Sequence, residues 1–224
     1  MPKKLIIVGD SAFAEIAFIY FSEDSEYEVV AFSVEEEFLR QSTLFDLPVH
    51  AFEALPKYYN PNQHDIFVAV TYAELNRLRK RLMMQAKDMG YGLASYVSSN
   101  AFIASNVTIG EHNFIFENNT LQPFVEIGSN VVVWSGNHIG HHSKIGNDCF
   151  ISSHVVISGY CVVENNCFLG VNATLANNLT VGSDCWVGPN SLITKNLEKK
   201  SVLRSKQTET AKIDAHRFLG IKNK

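Results

Sequence analysis

The chain has 224 residues, of which 46% are hydrophobic and 19% are charged, and its net charge is −4. This composition excludes a disordered or collagen-like chain, and the length suffices for one large domain or two small ones. The negative charge argues against nucleic-acid binding, and no apolar run reaches the roughly 18 to 20 residues of a membrane span. The opening apolar stretch is too short for a signal peptide, so we expect a cytoplasmic protein without membrane insertion.

The first ninety residues alternate predicted strands with predicted helices. Strands are predicted over 4–9, 28–34, 65–72 and 93–97, and helices over 11–21 and 75–89, while a short segment over 47–52 returns the chain. The second helix shows apolar residues at helical spacing and ends at Gly90. This alternation predicts an α/β domain over residues 1–92 with a parallel, doubly wound (Rossmann-like) sheet.

The loop after the first strand lies where such sheets bind ligands. Over residues 9–15 it reads Gly-Asp-Ser-Ala-Phe-Ala-Glu, which lacks two of the three glycines of a dinucleotide-binding loop. A nicotinamide cofactor is therefore not expected. The helix that begins near Ser11 offers backbone N–H groups to an anion or a sugar hydroxyl, although Ser11 could equally be only an N-cap.

The middle of the chain is a repeat. From Val97 to Ile193 an aliphatic residue recurs every six positions without interruption. A period of six fits neither a helix, at about 3.6, nor an alternating strand, at about 2. It predicts three strand-and-turn units per coil of 18 residues, which is the hexapeptide parallel β-helix, over residues 93–196. The glycines that follow seven of these aliphatics are assigned to turns with unusual backbone angles.

The four cysteines share one position of the hexapeptide, two residues before an inward aliphatic. They are Cys149, Cys161, Cys167 and Cys185. This position in the repeat favours small buried side chains. The cysteines also lack the Cys-x-x-Cys spacing of a zinc site.

Three histidines fall in predicted turns, where they cannot be core residues. His141 and His142 follow Ile139, whereas His154 follows Ile151 at a different corner of the triangular coil. His154 could therefore meet His141 only across a subunit contact. A neutral histidine is the usual general base near pH 7, as acyl transfer requires, and turn N–H groups can hold an oxyanion. Zinc binding or plain solvation are the alternative roles.

A column of residues 18 apart supports a site near these turns. Phe116 and Trp134 are followed in this column by Ser152, Gly170 and Gly188, which predicts an aromatic ledge above a groove. Glu117, beside Phe116, could orient a histidine or bind an amine. Subunit packing and a solvated carboxylate are the alternatives.

An α/β domain of about 90 residues followed by hexapeptide repeats resembles the sugar acyltransferases typified by sialic acid O-acetyltransferase and the N-acetyltransferase of the bacillosamine pathway. Residues 139–146, Ile-Gly-His-His-Ser-Lys-Ile-Gly, and 167–175, Cys-Phe-Leu-Gly-Val-Asn-Ala-Thr-Leu, carry the likeness to this subgroup. The resemblance implies a left-handed helix and a homotrimer. It also implies acetyl-CoA as co-substrate in the crevice between adjacent helices and a nucleotide-linked sugar on the α/β domain. No metal is expected, because no pair of histidines on one corner has convincing zinc-ligand geometry.

The resemblance also assigns site residues. The family's catalytic histidine falls on His141, and its usual acidic neighbour is replaced here by His142. A second family histidine, near the acetyl group, falls on Phe150, so its role is vacant or passes to His154. The acetyl-CoA contacts would fall near Gly159, Val171, Gly188 and Pro189.

The sugar-binding residues of the family are matched only in part. The glycine-rich loop matches Gly9, Asp10 and Ser11 with glycines lost, and an acidic pair matches Val34 and Glu35. These departures imply an altered sugar rather than an altered reaction.

A basic tail over residues 197–224 follows the coil. Residues 195–224 carry nine basic and three acidic side chains, whereas residues 91–194 carry one basic and six acidic ones. Lys195 and its basic neighbours could contact the phosphates of coenzyme A, with a solvated tail as the alternative.

Together these features predict an acetyl-CoA-dependent N- or O-acetyltransferase for a nucleotide-linked amino sugar of a lipopolysaccharide or another surface glycan. A γ-carbonic-anhydrase-like zinc enzyme and a non-catalytic sugar-binding trimer remain as alternatives.

Overall fold

A computed structural model describes residues 3–206 and 208–221. The first part of the chain forms an α/β domain. Its strands are β1 (Lys3–Val8), β2 (Tyr27–Val34), β3 (Thr43–Leu44), β4 (Leu47–Ala51), β5 (His64–Val68) and β6 (Gly92–Leu93). Its helices are α1 (Ala12–Glu23), α2 (Leu55–Tyr58) and α3 (Arg77–Asp88), with short 3-10 turns at Glu36–Phe38 and Phe52–Ala54.

The sheet of this domain has the order β3-β4-β2-β1-β5-β6 and is parallel except for β3, which pairs antiparallel with β4. Successive residues of β1 point to opposite faces, as in any strand. Leu5 and Ile7 pack with α1, whereas Ile6 and Val8 pack with α2 and α3. Because both faces are covered, β1 reads as a continuous apolar run.

The predicted elements of this domain match the observed ones to within two residues except at two strand ends, and β3 and α2 were not predicted. The predicted strand over 65–72 ends at Val68, because residues 70 and 71 turn their carbonyl groups towards Arg79. The predicted strand over 93–97 is two strands in different sheets, since β6 ends at Leu93 and Tyr96 begins the coil.

The coil is a left-handed parallel β-helix of two-residue strands, as predicted. They are β7 (Tyr96–Val97), β8 (Phe102–Ile103), β9 (Thr108–Ile109), β10 (Phe114–Ile115), β11 (Thr120–Leu121), β12 (Glu126–Ile127), β13 (Val132–Val133), β14 (His138–Ile139), β15 (Lys144–Ile145), β16 (Phe150–Ile151), β17 (Val156–Ile157), β18 (Val162–Val163), β19 (Phe168–Leu169), β20 (Thr174–Leu175), β21 (Thr180–Val181), β22 (Trp186–Val187), β23 (Leu192–Ile193) and β24 (Val202–Leu203). A last helix, α4 (Ala215–Leu219), lies exposed in the tail.

The six-residue register is confirmed, because each predicted aliphatic is the second residue of a strand. From Ile115 onward these aliphatics are buried, whereas Val97, at the open end of the coil, is 38% exposed. The strands stack into three sheets. We call the one that contains β10 and β13 the domain-facing sheet, the one that contains β14 and β17 the second sheet, and the one that contains β15 and β18 the third sheet.

Three columns of turns connect these sheets. Corner A follows the domain-facing sheet and includes residues 116–119, 134–137 and 152–155. Corner B follows the second sheet and includes residues 122–125, 140–143 and 158–161. Corner C follows the third sheet and includes residues 110–113, 128–131 and 146–149.

The glycines that follow the aliphatics are needed for a different reason from the one predicted. The left-handed conformation occurs three residues after each inward aliphatic from Ile109 to Val187, at positions filled mostly by Asn, Asp and His. The turn glycines instead give room to the next coil. A Cβ on Gly140 would lie 2.7 Å from the backbone nitrogen of Gly159, and one on Gly170 would lie 2.7 Å from that of Pro189.

The α/β domain is docked on the coil along two surfaces. Helix α1 packs on large outward side chains of the domain-facing sheet, such as Phe114, with ring centroids of Phe13 and Phe114 5.5 Å apart. Helix α3 lies along corner C, where Lys80 pairs with Asp148 and Arg77 pairs with Asp184. Among the described residues, no helix is long and apolar enough to cross a membrane.

Candidate active site

His141 and His142 lie exposed at corner B, as the repeat predicted. The side-chain oxygen of Gln122 accepts the backbone N–H of His141 at 2.9 Å, and the carbonyl of Pro123 accepts that of His142 at 3.2 Å. His142 has a φ of +59°, so it is the left-handed residue of this turn. The Nδ1 atoms of the two rings are 3.1 Å apart.

A column of aromatic side chains holds the ring of His142. Phe124, one coil earlier, stacks on it with centroids 4.5 Å apart, and Tyr160, one coil later, stacks on it at 4.7 Å. The ring of His141 stands edge-on to Tyr160 at 5.1 Å. We call Phe124, His142 and Tyr160 the corner B ladder.

Two of the three candidate catalytic histidines, His141 and His154, each lie over a glycine of a neighbouring coil. A Cβ on Gly159 would approach Cε1 and Nε2 of His141 to 2.8 Å, and a Cβ on Gly136 would approach Cε1 of His154 to 2.7 Å. Gly159, predicted as an acetyl-CoA contact, is therefore beside His141 and makes room for its ring.

His154 lies at corner A, together with most of the other residues of the coil that were predicted to bind sugar or acetyl-CoA. Glu117, Val171 and Pro189 are in one column there, and Trp134 and Gly188 are in the column next to it. Val171 and Trp134 line a cavity of about 220 Å³, together with Thr71, Tyr72, Phe150, Ser152 and Ser153. The predicted groove below an aromatic is present, but Phe116 is buried against α1 and only Trp134 forms the ledge.

Glu117 faces helix α1 rather than a histidine. Its Oε2 accepts the hydroxyl of Tyr20 at 2.7 Å. Burial would raise the pKa of Glu117, but hydrogen bonds from Tyr20 and Ser135 outweigh burial and lower this pKa. The hydroxyl of Tyr20 shows the reverse effect, because burial and the adjacent carboxylate raise its pKa to about 12. Glu117 is therefore an ionised acceptor, with Tyr20 as its fixed donor.

The predicted sugar-binding residues of the α/β domain lie together. Asp10, Ser11 and Glu35 line a cavity of about 150 Å³ at the carboxyl ends of β1 and β2. The remaining lining residues are Val8, Gly9, Val34, Phe38, Val70, Leu78 and Leu82. Ser11 is the N-cap of α1, but its side chain makes no capping hydrogen bond to the described residues. We call this cavity the sheet-end pocket.

Arg81 of α3 holds the carboxylate of Glu35 in a bidentate pair, at 2.7 and 3.0 Å. The hydrogen bonds from Arg81 lower the pKa of Glu35. Sequence reasoning missed Arg81, because a basic residue on a polar helix face carries no signal of a partner 46 positions away. The corner B ladder could have been found, since its three members are 18 residues apart.

The cysteines and Lys195 lie outside the corner A cavity and the sheet-end pocket. All four cysteines are buried, and each thiol donates to a carbonyl of the next turn, as Cys161 does to Ala176 at 3.1 Å. Lys195 is exposed after the last full coil. Within residues 3–206 and 208–221, no three His, Cys, Asp or Glu side chains are grouped to hold a metal ion.

Comparisons with known proteins support the hexapeptide repeat and the fold. Residues 124–159 match the family model of the bacterial transferase hexapeptide (six repeats). No sequence among the curated proteins matches the chain.

Similar solved structures include the acetyltransferase domain of PglB from Neisseria gonorrhoeae, with a TM-score of 0.80 and 20% identity over 89% of this chain and 95% of that one. PerB from Caulobacter crescentus, in complex with CoA and GDP-perosamine, has a TM-score of 0.78 and 22% identity over 89% of this chain and 92% of that one. The predicted resemblance to hexapeptide-repeat sugar acyltransferases is thus confirmed for the repeat motif and for the fold of almost the whole chain.

Proposed function

We propose that the protein is an acetyl-CoA-dependent N- or O-acetyltransferase of a nucleotide-linked amino sugar for surface glycan biosynthesis in the cytoplasm. The observation that carries this proposal is the exposed ring of His141 over Gly159, in a coil attached to an α/β domain with a pocket at its sheet ends. The fold neighbour PerB was solved with CoA and GDP-perosamine, which supports both substrates.

In this proposal His141 is the general base. Its Nε2 takes a proton from the sugar amine or hydroxyl as that group attacks the thioester carbon of acetyl-CoA. Turn backbone N–H groups hold the oxygen that becomes negative. The C–S bond then breaks, and the sulfur of coenzyme A leaves with the proton that His141 had taken. The exposed position of His141 leaves this nitrogen accessible to an acceptor.

The sheet-end pocket is the proposed site for the nucleotide. Doubly wound sheets bind ligands beyond the carboxyl ends of their strands, which is where this pocket lies. Its aliphatic wall, which includes Val70 and Leu78, suits the face of a base. The N-terminus of α1 offers backbone N–H groups to a phosphate, and the Glu35–Arg81 pair offers polar groups at the rim.

The proposed assembly is a homotrimer. The second sheet turns a column of side chains outward, in which Phe102, Val156 and Leu192 are 62%, 39% and 69% exposed. Apolar exposure along one face is typical of an interface. Corner B and corner A flank this sheet, so contact between copies would bring His141 and Gly159 of one copy near His154, Val171, Gly188 and Pro189 of the next.

The oligomer can be tested by light scattering after size-exclusion chromatography. Wild-type protein is expected at the mass of three chains, and Val156→Glu, which replaces an exposed apolar side chain of this column by a charge, is expected to shift the mass towards one chain. A wild-type monomer with full activity would contradict this assembly.

The basic residues Lys195, Lys199, Lys200, Arg204 and Lys206 are proposed to attract the phosphates of coenzyme A. Lys199 also lines an open groove along the third sheet. Affinity for coenzyme A should therefore fall with increasing salt, and affinity that is insensitive to salt would contradict this role.

The reaction is tested by release of coenzyme A thiol with a panel of nucleotide-linked amino sugars, with mass spectrometry of the products. His141→Ala should lower turnover by about 10² to 10⁴. His50→Ala is the matched control, because His50 stacks on Tyr58 in the α/β domain and lines neither pocket. Near-normal turnover in His141→Ala would refute the assignment, and no transfer to any sugar would favour a binding protein.

A further inference from the structure

The contact between His141 and His142 restricts where their protons lie. At 3.1 Å the two Nδ1 atoms are within hydrogen-bond distance, so one ring must donate an Nδ1–H and the other must accept it. A neutral imidazole carries one N–H, so donation at Nδ1 leaves Nε2 with a lone pair. Acceptance at Nδ1 leaves the proton on Nε2 of the same ring.

We propose that His142 is a positioning residue that holds His141 in the Nδ1–H tautomer. In this arrangement His142 accepts the proton of His141 at its own Nδ1, and Nε2 of His141 is free to take a proton from the acceptor. The opposite arrangement would put a hydrogen on Nε2 of His141 and prevent its action as a base. The contact alone allows either direction, so the choice of His141 as the donor rests on the proposed function.

The surroundings of His142 are suited to this task because they fix its ring. Phe124 and Tyr160 stack on its two faces, and its backbone N–H is bonded to Pro123. Among residues 3–206 and 208–221, the titratable side chains in contact with it are His141 and Tyr160. His142 therefore supplies a fixed acceptor to the catalytic ring.

The column of the corner B ladder provides matched variants. Phe124 has a φ of +67°, so this turn position accepts a phenylalanine, and Asn178, in the same column, has a φ of +59°. His142→Phe keeps the stack with Phe124 and Tyr160 but removes the Nδ1 acceptor. His142→Asn removes the middle ring of the stack but keeps a side-chain oxygen that can accept the Nδ1–H of His141.

The test is ¹⁵N NMR of the full-length protein labelled with ring-¹⁵N histidine at pH 8, where an ordinary imidazole is neutral. His141→Gln assigns the signals of His141. We expect a protonated Nδ1 and an unprotonated Nε2 on His141 in the wild-type protein and in His142→Asn. We expect the proton to move to Nε2 in His142→Phe.

Activity provides the second readout. His142→Phe should lower kcat by about 10- to 100-fold with little change in KM, and His142→Asn should restore most of that loss. Melting temperatures of the wild-type protein and His142→Phe should agree, since the stack is kept in the Phe variant. An unchanged tautomer in His142→Phe, or a wild-type His141 with its proton on Nε2, overturns the proposal. The expected tautomers without acetyl transfer would support the contact and refute the proposed function.

Discussion

We predict that acid weakens the junction between the α/β domain and the coil, because His112 is buried there. This buried ring accepts the backbone N–H of Val68 at Nε2, at 2.9 Å, and its Nδ1 lies 2.9 Å from Oδ1 of Asn130. It also stacks on Phe67 at 5.0 Å. Burial, with a smaller contribution from the charge of Arg79, lowers the pKa of His112 to about 3. A protonated Nε2 could no longer accept the N–H of Val68.

The direction of the effect follows from the two pKa values. An unfolded histidine has a pKa of about 6.5, so the folded state binds this proton less readily. The contribution of His112 to stability is complete above pH 6.5 and is lost as the pH falls towards 3. At pH 5 the loss is about 2 kcal/mol, which is about 4 to 8 °C in melting temperature for a chain of this size.

The assay compares thermal unfolding of wild-type protein and His112→Asn at pH 7.5 and pH 5, at one scan rate. Asparagine is a suitable replacement because Asn130, in the same column, has a φ of +58° like His112. The variant should be less stable at pH 7.5 but should lose about 2 kcal/mol less between the two values. His50→Asn, which removes a half-exposed histidine, should behave like the wild type. Parallel pH dependence of wild type and His112→Asn would refute the reasoning.

Three further predictions follow from the coil and its junction. Ile145→Asp places a carboxylate at a buried inward position and should unfold the coil locally, so an unchanged melting temperature would refute the register. Gly159→Ala should displace the ring of His141 and lower kcat by up to about 100-fold. If the role of Gly159 is to make room for this ring, the affinity for coenzyme A should change little, and a selective rise in KM for acetyl-CoA would contradict that role. Arg79→Met removes five hydrogen bonds from a buried guanidinium and should cost about 3 kcal/mol or more in denaturant unfolding; a cost below about 1 kcal/mol would show that the junction adapts.

The period of six residues predicted most of the coil because each position in the unit has a fixed environment. It placed Ile145 inside, the four cysteines beside the core, and His141 and His142 on an exposed turn. It failed for the turn glycines, because the demand on Gly140 comes from the next coil and not from its own backbone angles.

The junction between domain and coil could not be predicted in the same way. Arg79 lies on a helix whose sequence is basic and polar, yet it is buried, because carbonyl groups of Val70, Thr71 and Cys149 converge on it from two domains. Contacts of this kind depend on the relative placement of two folded units. In retrospect, the large outward side chains of the domain-facing sheet, such as Phe114 and Phe168, were a signal that this face is covered.

The 18-residue columns restrict the changes in length that this protein can accommodate. Six residues inserted after Ile145 would move every later turn to the next corner, so Gly159 would no longer lie under His141. Eighteen residues inserted after Ile193 would preserve every column and simply lengthen the coil. The same eighteen inserted between Asp148 and Asp184 would preserve the coil but separate the anchors of Lys80 and Arg77 by one extra layer. Both ion pairs of helix α3 therefore require that Asp148 and Asp184 stay two coils apart.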